Sequence, residues 1–182
     1  TDMTCLHEKA LAELRLKKMG FIFQHMHLLQ SLSVMDNIIL PAYFAKMEKR
    51  GAINSKAASL MAQTGINHIA DSDISEISGG ELQRAAICRA LINNPEIIFG
   101  DEPTGALNSK ATADVMNMLV EINRKGTSIM LVSHDTRVAA YADSVYFMCD
   151  GEISGKLTLE KYNGEHSARE AKVTQWAIEN GF

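Results

Sequence analysis

The chain has 182 residues, 46% of them hydrophobic and 22% charged, with a formal net charge of −4. That is the length and composition of one globular domain with room for a sizeable core. An acidic pI near 5.8 and the lack of any strongly basic block argue against a nucleic-acid partner, and no apolar run approaches the roughly 18 residues of a membrane span.

In chain order, residues 7–18 are charged, with leucines at helical spacing. Residues 19–24 read as a short buried strand. Residues 34–49 and 54–64 are predicted helical, the second stopped by Gly65. Ser78-Gly79-Gly80 breaks the chain before a helix over 81–92, which Pro95 ends. Residues 96–101 form an apolar run closed by an acid, as a fully buried parallel strand does. Asn108 or Ser109 caps the next helix and Gly126 ends it. Residues 127–132 form a second buried strand, 135–141 a short helix and 144–149 a third strand. Asp150-Gly151 then turns the chain into a hairpin with 153–157. The alternation from 96 to 149 predicts a parallel α/β sheet. Residues 159–182 are polar, with a weak helical pattern around Trp176. The start of the chain lacks the charged-then-apolar pattern of a signal peptide. Cys5, Cys88 and Cys149 are odd in number and form no Cys-x-x-Cys pair, which fits reduced thiols.

Four segments carry candidate chemistry. Asp101 and Glu102 end an apolar strand, which puts two carboxylates at the edge of a parallel sheet where ligands bind. One can hold Mg²⁺ and the other can orient and deprotonate a water. Ser78-Gly79-Gly80 before a helix offers a hydroxyl and backbone N–H groups to a phosphate. His134 and Gln24 each end a strand of their own. Taken singly, these are an acidic loop, a plain N-cap, a structural histidine and an uninformative amide. His25 and His27 alternate beside a strand end, so their side chains point apart and form no metal pair.

Taken together, the order and spacing of Gln24, Ser78-Gly79-Gly80, Asp101-Glu102 and His134 resemble one family. They are similar to the Q-loop, signature sequence, Walker B strand with catalytic Glu, and switch His of the ABC ATPases, over residues 18–157. Asp101-Glu102-Pro103-Thr104-Gly105 and Phe23-Gln24-His25-Met26-His27-Leu28-Leu29 further resemble the lipoprotein-release, macrolide-export and antimicrobial-peptide-export branch of bacterial ABC transporters. The resemblance implies an α/β fold: a P-loop NTPase-like parallel sheet core, N-terminally incomplete, with an inserted helical subdomain. Residues 1–29 and 91–160 would be a partial RecA-like ATPase core. Residues 30–90 would be the helical signature subdomain that docks on a transmembrane permease, and 161–182 a C-terminal tail helix. ATP and Mg²⁺ would be the ligands. Asp101 would serve Mg²⁺, Glu102 would be the general base, Gln24 would sense Mg²⁺ and the γ-phosphate, and His134 would hold the γ-phosphate and the water. Ser78, Gly79, Gly80 and the adjoining Glu81 would reach the nucleotide of a second ATPase subunit in a head-to-tail pair, with Asn108 of the D-loop in the same contact. The whole would sit in the cytoplasm on the inner face of the cell membrane.

Two departures are small: Ile77 opens the signature in place of Leu, a conservative change, and Asn108 stands where the family more often has Asp, keeping hydrogen bonding but losing the charge, so that communication between the two sites is expected to be altered rather than abolished. A third is an absence. No Gly-x-x-x-x-Gly-Lys-Ser/Thr occurs, and the nearest string, Gly151 to Leu157, is one residue short and has Leu in place of the hydroxyl. In the family the P-loop lies upstream of the Q-loop, and here only residues 1–23 precede Gln24. The simplest account is a chain missing its N-terminal part. The competing one is an ATPase-derived partner or regulator that has lost nucleotide binding. Either way the chain by itself is expected neither to bind ATP tightly nor to hydrolyse it, and to expose apolar sheet edges that leave it marginally stable.

Overall fold

Helix α1 (Glu8–Lys18) passes without a linker into strand β1 (Met19–Phe23). Met19 ends the helix, its N–H donating to the Arg15 carbonyl, and its extended backbone already begins the strand. These coordinates are a computed structural model that describes residues 3–46 and 48–181. The chain divides into two units, the first ending at Val132 and the second beginning at Ser133.

In the first unit, β1, β2 (Ile97–Asp101) and β3 (Ser128–Val132) form a parallel sheet in that order. The register aligns Phe23, Asp101 and Val132 at the C-terminal edge. Ile22 and Ile98 are fully buried on one face. On the other, Phe21 stacks on Phe23 and Phe99, while Met130 and Val132 are more than half exposed. The sequence predicted a buried strand over 127–132, but no residue of β3 is buried.

Helices α2 (Val34–Ala45), α3 (Arg50–Gln63) and α4 (Gly79–Leu91) build a separate core around Val34, Ile38, Met61, Ile66 and Cys88. Burial pushes the Cys88 thiol up to about 11, so it packs as an apolar group. Helix α4 is apolar on two sides. Ala85 and Cys88 face the helices, whereas Ala90 packs on β1 at Gly20. A Cβ at Gly20 would stand 2.8 Å from the Ala90 carbonyl oxygen and 3.1 Å from Ile98 Cγ1. The obstacle is backbone and cannot rotate away. Gly20→Ala should therefore cost about 1–3 kcal/mol, as overpacking does. A lower urea midpoint at unchanged slope would report it. An unchanged midpoint would mean that α4 sits further from the sheet.

Helix α5 (Ser109–Arg124) starts on Asn108, whose Oδ1 accepts from Ala111 N at 2.9 Å, and buries Val115, Met116, Leu119 and Ile122 along one stripe. Gly126, with φ 107°, takes the left-handed turn after it.

The second unit holds α6 (Thr136–Ala139), β4 (Ser144–Cys149), β5 (Glu152–Thr158) and α7 (His166–Glu179). One expectation fails here. Strand β4 does not join the parallel sheet but pairs antiparallel with β5 alone. Tyr146 and Met148 of β4 are more than half exposed. Asp150 (φ 49°) and Gly151 (φ 83°) make the tight hairpin turn. Arg169 ties this unit together, donating to the carbonyls of Ala140, Ala142 and Glu160. Among the described residues, no helix is long and apolar enough to cross a membrane.

Candidate functional site

The C-terminal edge of the three-stranded sheet gathers three of the predicted residues. Asp101 is the last residue of the central strand and is exposed, aligned between Phe23 and Val132. Glu102 continues the ladder by one bond, its N–H donating to the Val132 carbonyl at 3.0 Å. It then turns sharply: its φ is 45°, and its carbonyl accepts from Gly105 N at 3.1 Å. A left-handed non-glycine residue costs about 1–2 kcal/mol. Buried Pro103 and Thr104 anchor the turn that imposes it. Strain of this kind gathers at functional positions. Gln24 follows β1 directly and is exposed. Gly105 is where the two meet. A Cβ there would lie 3.4 Å from Gln24 Nε2 and 3.7 Å from Glu102 Cβ. The Gln24 amide nitrogen and the Glu102 β-carbon thus flank Gly105.

The signature turn opens α4 differently from expectation. The helix begins at Gly79, not Glu81, because Ser78 takes the N-cap and both glycines adopt helical backbone. The Ser78 hydroxyl donates to Glu81 Oε2 at 2.5 Å and the Ser78 N–H donates to the same oxygen at 3.0 Å. This capping box fills part of the helix N-terminus with the chain's own carboxylate. Those two bonds, hydroxyl first and backbone second, hold Glu81 below the usual carboxylate range, helped by His68 at 3.1 Å. A carboxylate with a depressed pKa stabilises above its unfolded value and loses that contribution as pH falls through the folded one. Gly79 and Gly80 pack toward Leu107 and Ala111, which puts the signature turn next to Asn108 within one chain.

Residues after Gln24 do not continue a strand, so the alternation argued for His25 and His27 does not apply. Met26 and His27 are both left-handed, with φ of 49° and 47°, and His27 N donates to His25 O at 2.5 Å. The His27 ring meets Phe23 edge-on at 5.3 Å. Two side chains that the sequence did not single out hold this stretch. Arg89, from the last turn of α4, donates to the carbonyls of Met26 and His27 at 2.5 and 2.7 Å. Asn37, 1% exposed, accepts from Leu29 N and donates to the carbonyls of Leu29, Leu32 and Ser33. His134 is the second residue of the second unit and is exposed, one residue before Asp135, which caps α6. Arg137 hydrogen bonds keep Asp135 ionised below its ordinary pKa.

The family model described as ABC transporter matches residues 3–105. The chain belongs to the ABC transporter family. Its fold is that of the family's ATP-binding domain. The chain is 44% identical to the bacitracin export ATP-binding protein BceA of Halalkalibacterium halodurans, over 86% of this chain and 62% of that protein. It is 42% identical to the macrolide export ATP-binding/permease protein MacB of Escherichia coli, over 84% of this chain and 23% of that one. Among solved structures, the dimeric post-hydrolysis state of the ATP-binding cassette MJ0796, bound to ADP and Pi, superposes with a TM-score of 0.78. It is 31% identical, with 87% of this chain and 70% of that one covered. The chain therefore spans less than two thirds of the length of these two export relatives.

Proposed function

We propose that these residues form part of the ATP-hydrolysing subunit of a bacterial exporter. It would work as one half of a head-to-tail pair, seated on a transmembrane permease at the inner face of the membrane. The observation that carries the reading is the strained Glu102 at the end of the central strand, with the Gln24 amide beside it across Gly105. The relatives' names, bacitracin and macrolide export, favour an exporter, and the dimeric neighbour favours a pair. Residues 30–90 would form the permease-facing helical subdomain and 161–182 a tail helix.

In this reading Glu102 accepts a proton from the water that attacks the γ-phosphate, and His134 holds that water and the phosphate. Ser78, Gly79 and Gly80 reach the partner's nucleotide, with Glu81 and Asn108 supporting the same contact. The donor set fits Mg²⁺: the Asp101 carboxylate and the Gln24 amide oxygen are hard ligands. Bound there, Mg²⁺ would neutralise charge on the substrate phosphates.

The 182 residues contain no Gly-x-x-x-x-Gly-Lys-Ser/Thr sequence. Without backbone amides and a lysine around the phosphates, the main electrostatic clamp on ATP is missing. This chain alone should not saturate at millimolar ATP in equilibrium dialysis, and its phosphate release should not exceed that of Glu102→Gln. A chimaera carrying a relative's phosphate-loop segment ahead of residue 1 should regain both activities. Turnover by the chain alone above the Glu102→Gln control would overturn the clamp argument. A chimaera that binds ATP without hydrolysing it would favour a non-hydrolysing partner or regulator instead.

A further inference from the structure

Met26 and His27 are consecutive left-handed residues, and neither is glycine. Such a pair does not hold its shape unaided, because each Cβ crowds a neighbouring carbonyl. The backbone bonds within the turn are few: Met26 N to Phe23 O at 3.0 Å and His27 N to His25 O at 2.5 Å. What the turn presents outward is two adjacent carbonyls, and Arg89 meets both with its two terminal nitrogens. A planar fork with several fixed donors suits two acceptors at once, whereas an ammonium is a single point of charge. Burial draws the Arg89 guanidinium below its ordinary pKa, so it gives up solvent to make these bonds. The next stretch, 29–33, is held separately by Asn37. Gln24 thus lies between a strand paired to β2 and a turn clamped by Arg89.

We propose that Arg89 is a positioning residue for Gln24: its fork locks the Met26–His27 turn and thereby holds the Gln24 amide against Gly105, beside Glu102. The same helix is capped by Ser78 at its other end, about 16 Å away at 1.5 Å per residue. A shift of α4 along its axis therefore moves the signature turn and the clamp on the Gln24 turn together. The inference rests on Gln24 belonging to the site, but the clamp is measurable without nucleotide.

The test uses the 182-residue chain, with Arg89→Lys and Arg89→Met, read by amide hydrogen exchange and by the Gln24 side-chain NMR signals. In Arg89→Lys, exchange at Met26 and His27 should rise tenfold or more while Ile38 and Leu119 stay unchanged, and the Gln24 side-chain amide signals should move or broaden. Arg89→Met should enlarge the same local effects. Asn37→Ala should loosen Leu29 without reproducing the Gln24 shift. Unchanged exchange at Met26 and His27 in both variants would overturn the proposal, as would a rise spread evenly over the chain. A Gln24→Ala chimaera with undiminished ATP turnover would remove Gln24 from the catalytic reading and leave the measured clamp standing, so the two failures are distinct.

Discussion

Replacing Glu102 by glutamine in the phosphate-loop chimaera is expected to lower ATP turnover by about 10²–10⁴-fold, the usual contribution of a positioned acid–base group. The two side chains have nearly the same volume, and both suffer the same left-handed backbone at φ 45°. The turn through Pro103, Thr104 and Gly105 therefore gains no new strain. What changes is one atom's ability to take a proton. An amide still accepts a hydrogen bond from water but cannot deprotonate it. ATP affinity should be kept or raised, because the carboxylate's repulsion toward the phosphates is gone. The measurement is phosphate release at saturating ATP, with affinity followed in parallel. A fall in affinity with little change in maximal turnover would show that Glu102 acts in binding and that the base lies elsewhere. A fall in turnover alone supports its role as base.

The sequence was informative about this edge for a physical reason. An apolar strand that ends in acids has few alternatives, and β1, β2 and β3 lie within one residue of where their hydrophobic runs end. Of the two residues the sequence offered as a cap, Asn108 and Ser109, it is Asn108 that caps, and Asp150-Gly151 makes its predicted turn, since each conformation has strong local chemistry. Pairing is less local. Ser144 to Cys149 has the composition of a buried strand, but composition does not name a neighbour, and β4 pairs only with β5. Arg89 was illegible because its acceptors are backbone carbonyls more than sixty positions away, which carry no residue identity. The same holds for Gly20, whose need for hydrogen in place of a side chain is set by the Ala90 carbonyl of another element. The signature turn was half legible. Its serine and glycines were visible, but not the engagement of Ser78 by Glu81.

Arg169→Met is the other substitution expected to act strongly, through stability alone. Arg169 is 9% exposed, and its three donors reach Ala140 O at 2.7 Å, Ala142 O at 2.7 Å and Glu160 O at 2.5 Å. It also lies over the Tyr162 ring, 5.5 Å from the centroid. These bonds join the end of α6, the approach to β4, the exit of β5 and α7. Bonds to a charged group contribute about 1.5–3 kcal/mol each. Some of the freed carbonyls would find water, so a net loss of about 3–5 kcal/mol is expected. Typical stability of about 0.05–0.15 kcal/mol per residue gives roughly 3–7 kcal/mol for residues 133–182. The loss is of the same size as that total. The second unit should therefore be largely unfolded at room temperature while the first keeps its helical signal. Trp176, the single tryptophan, sits in α7 edge-on to Phe147 at 6.4 Å and reports on this unit alone. Its emission should shift to that of a solvated indole, with Arg169→Lys falling in between because one ammonium cannot serve three carbonyls in different directions. Native Trp176 emission in Arg169→Met would mean that the carbonyls are satisfied without the guanidinium, and that the hydrophobic contacts of Val173 and Ala177 hold α7 in place.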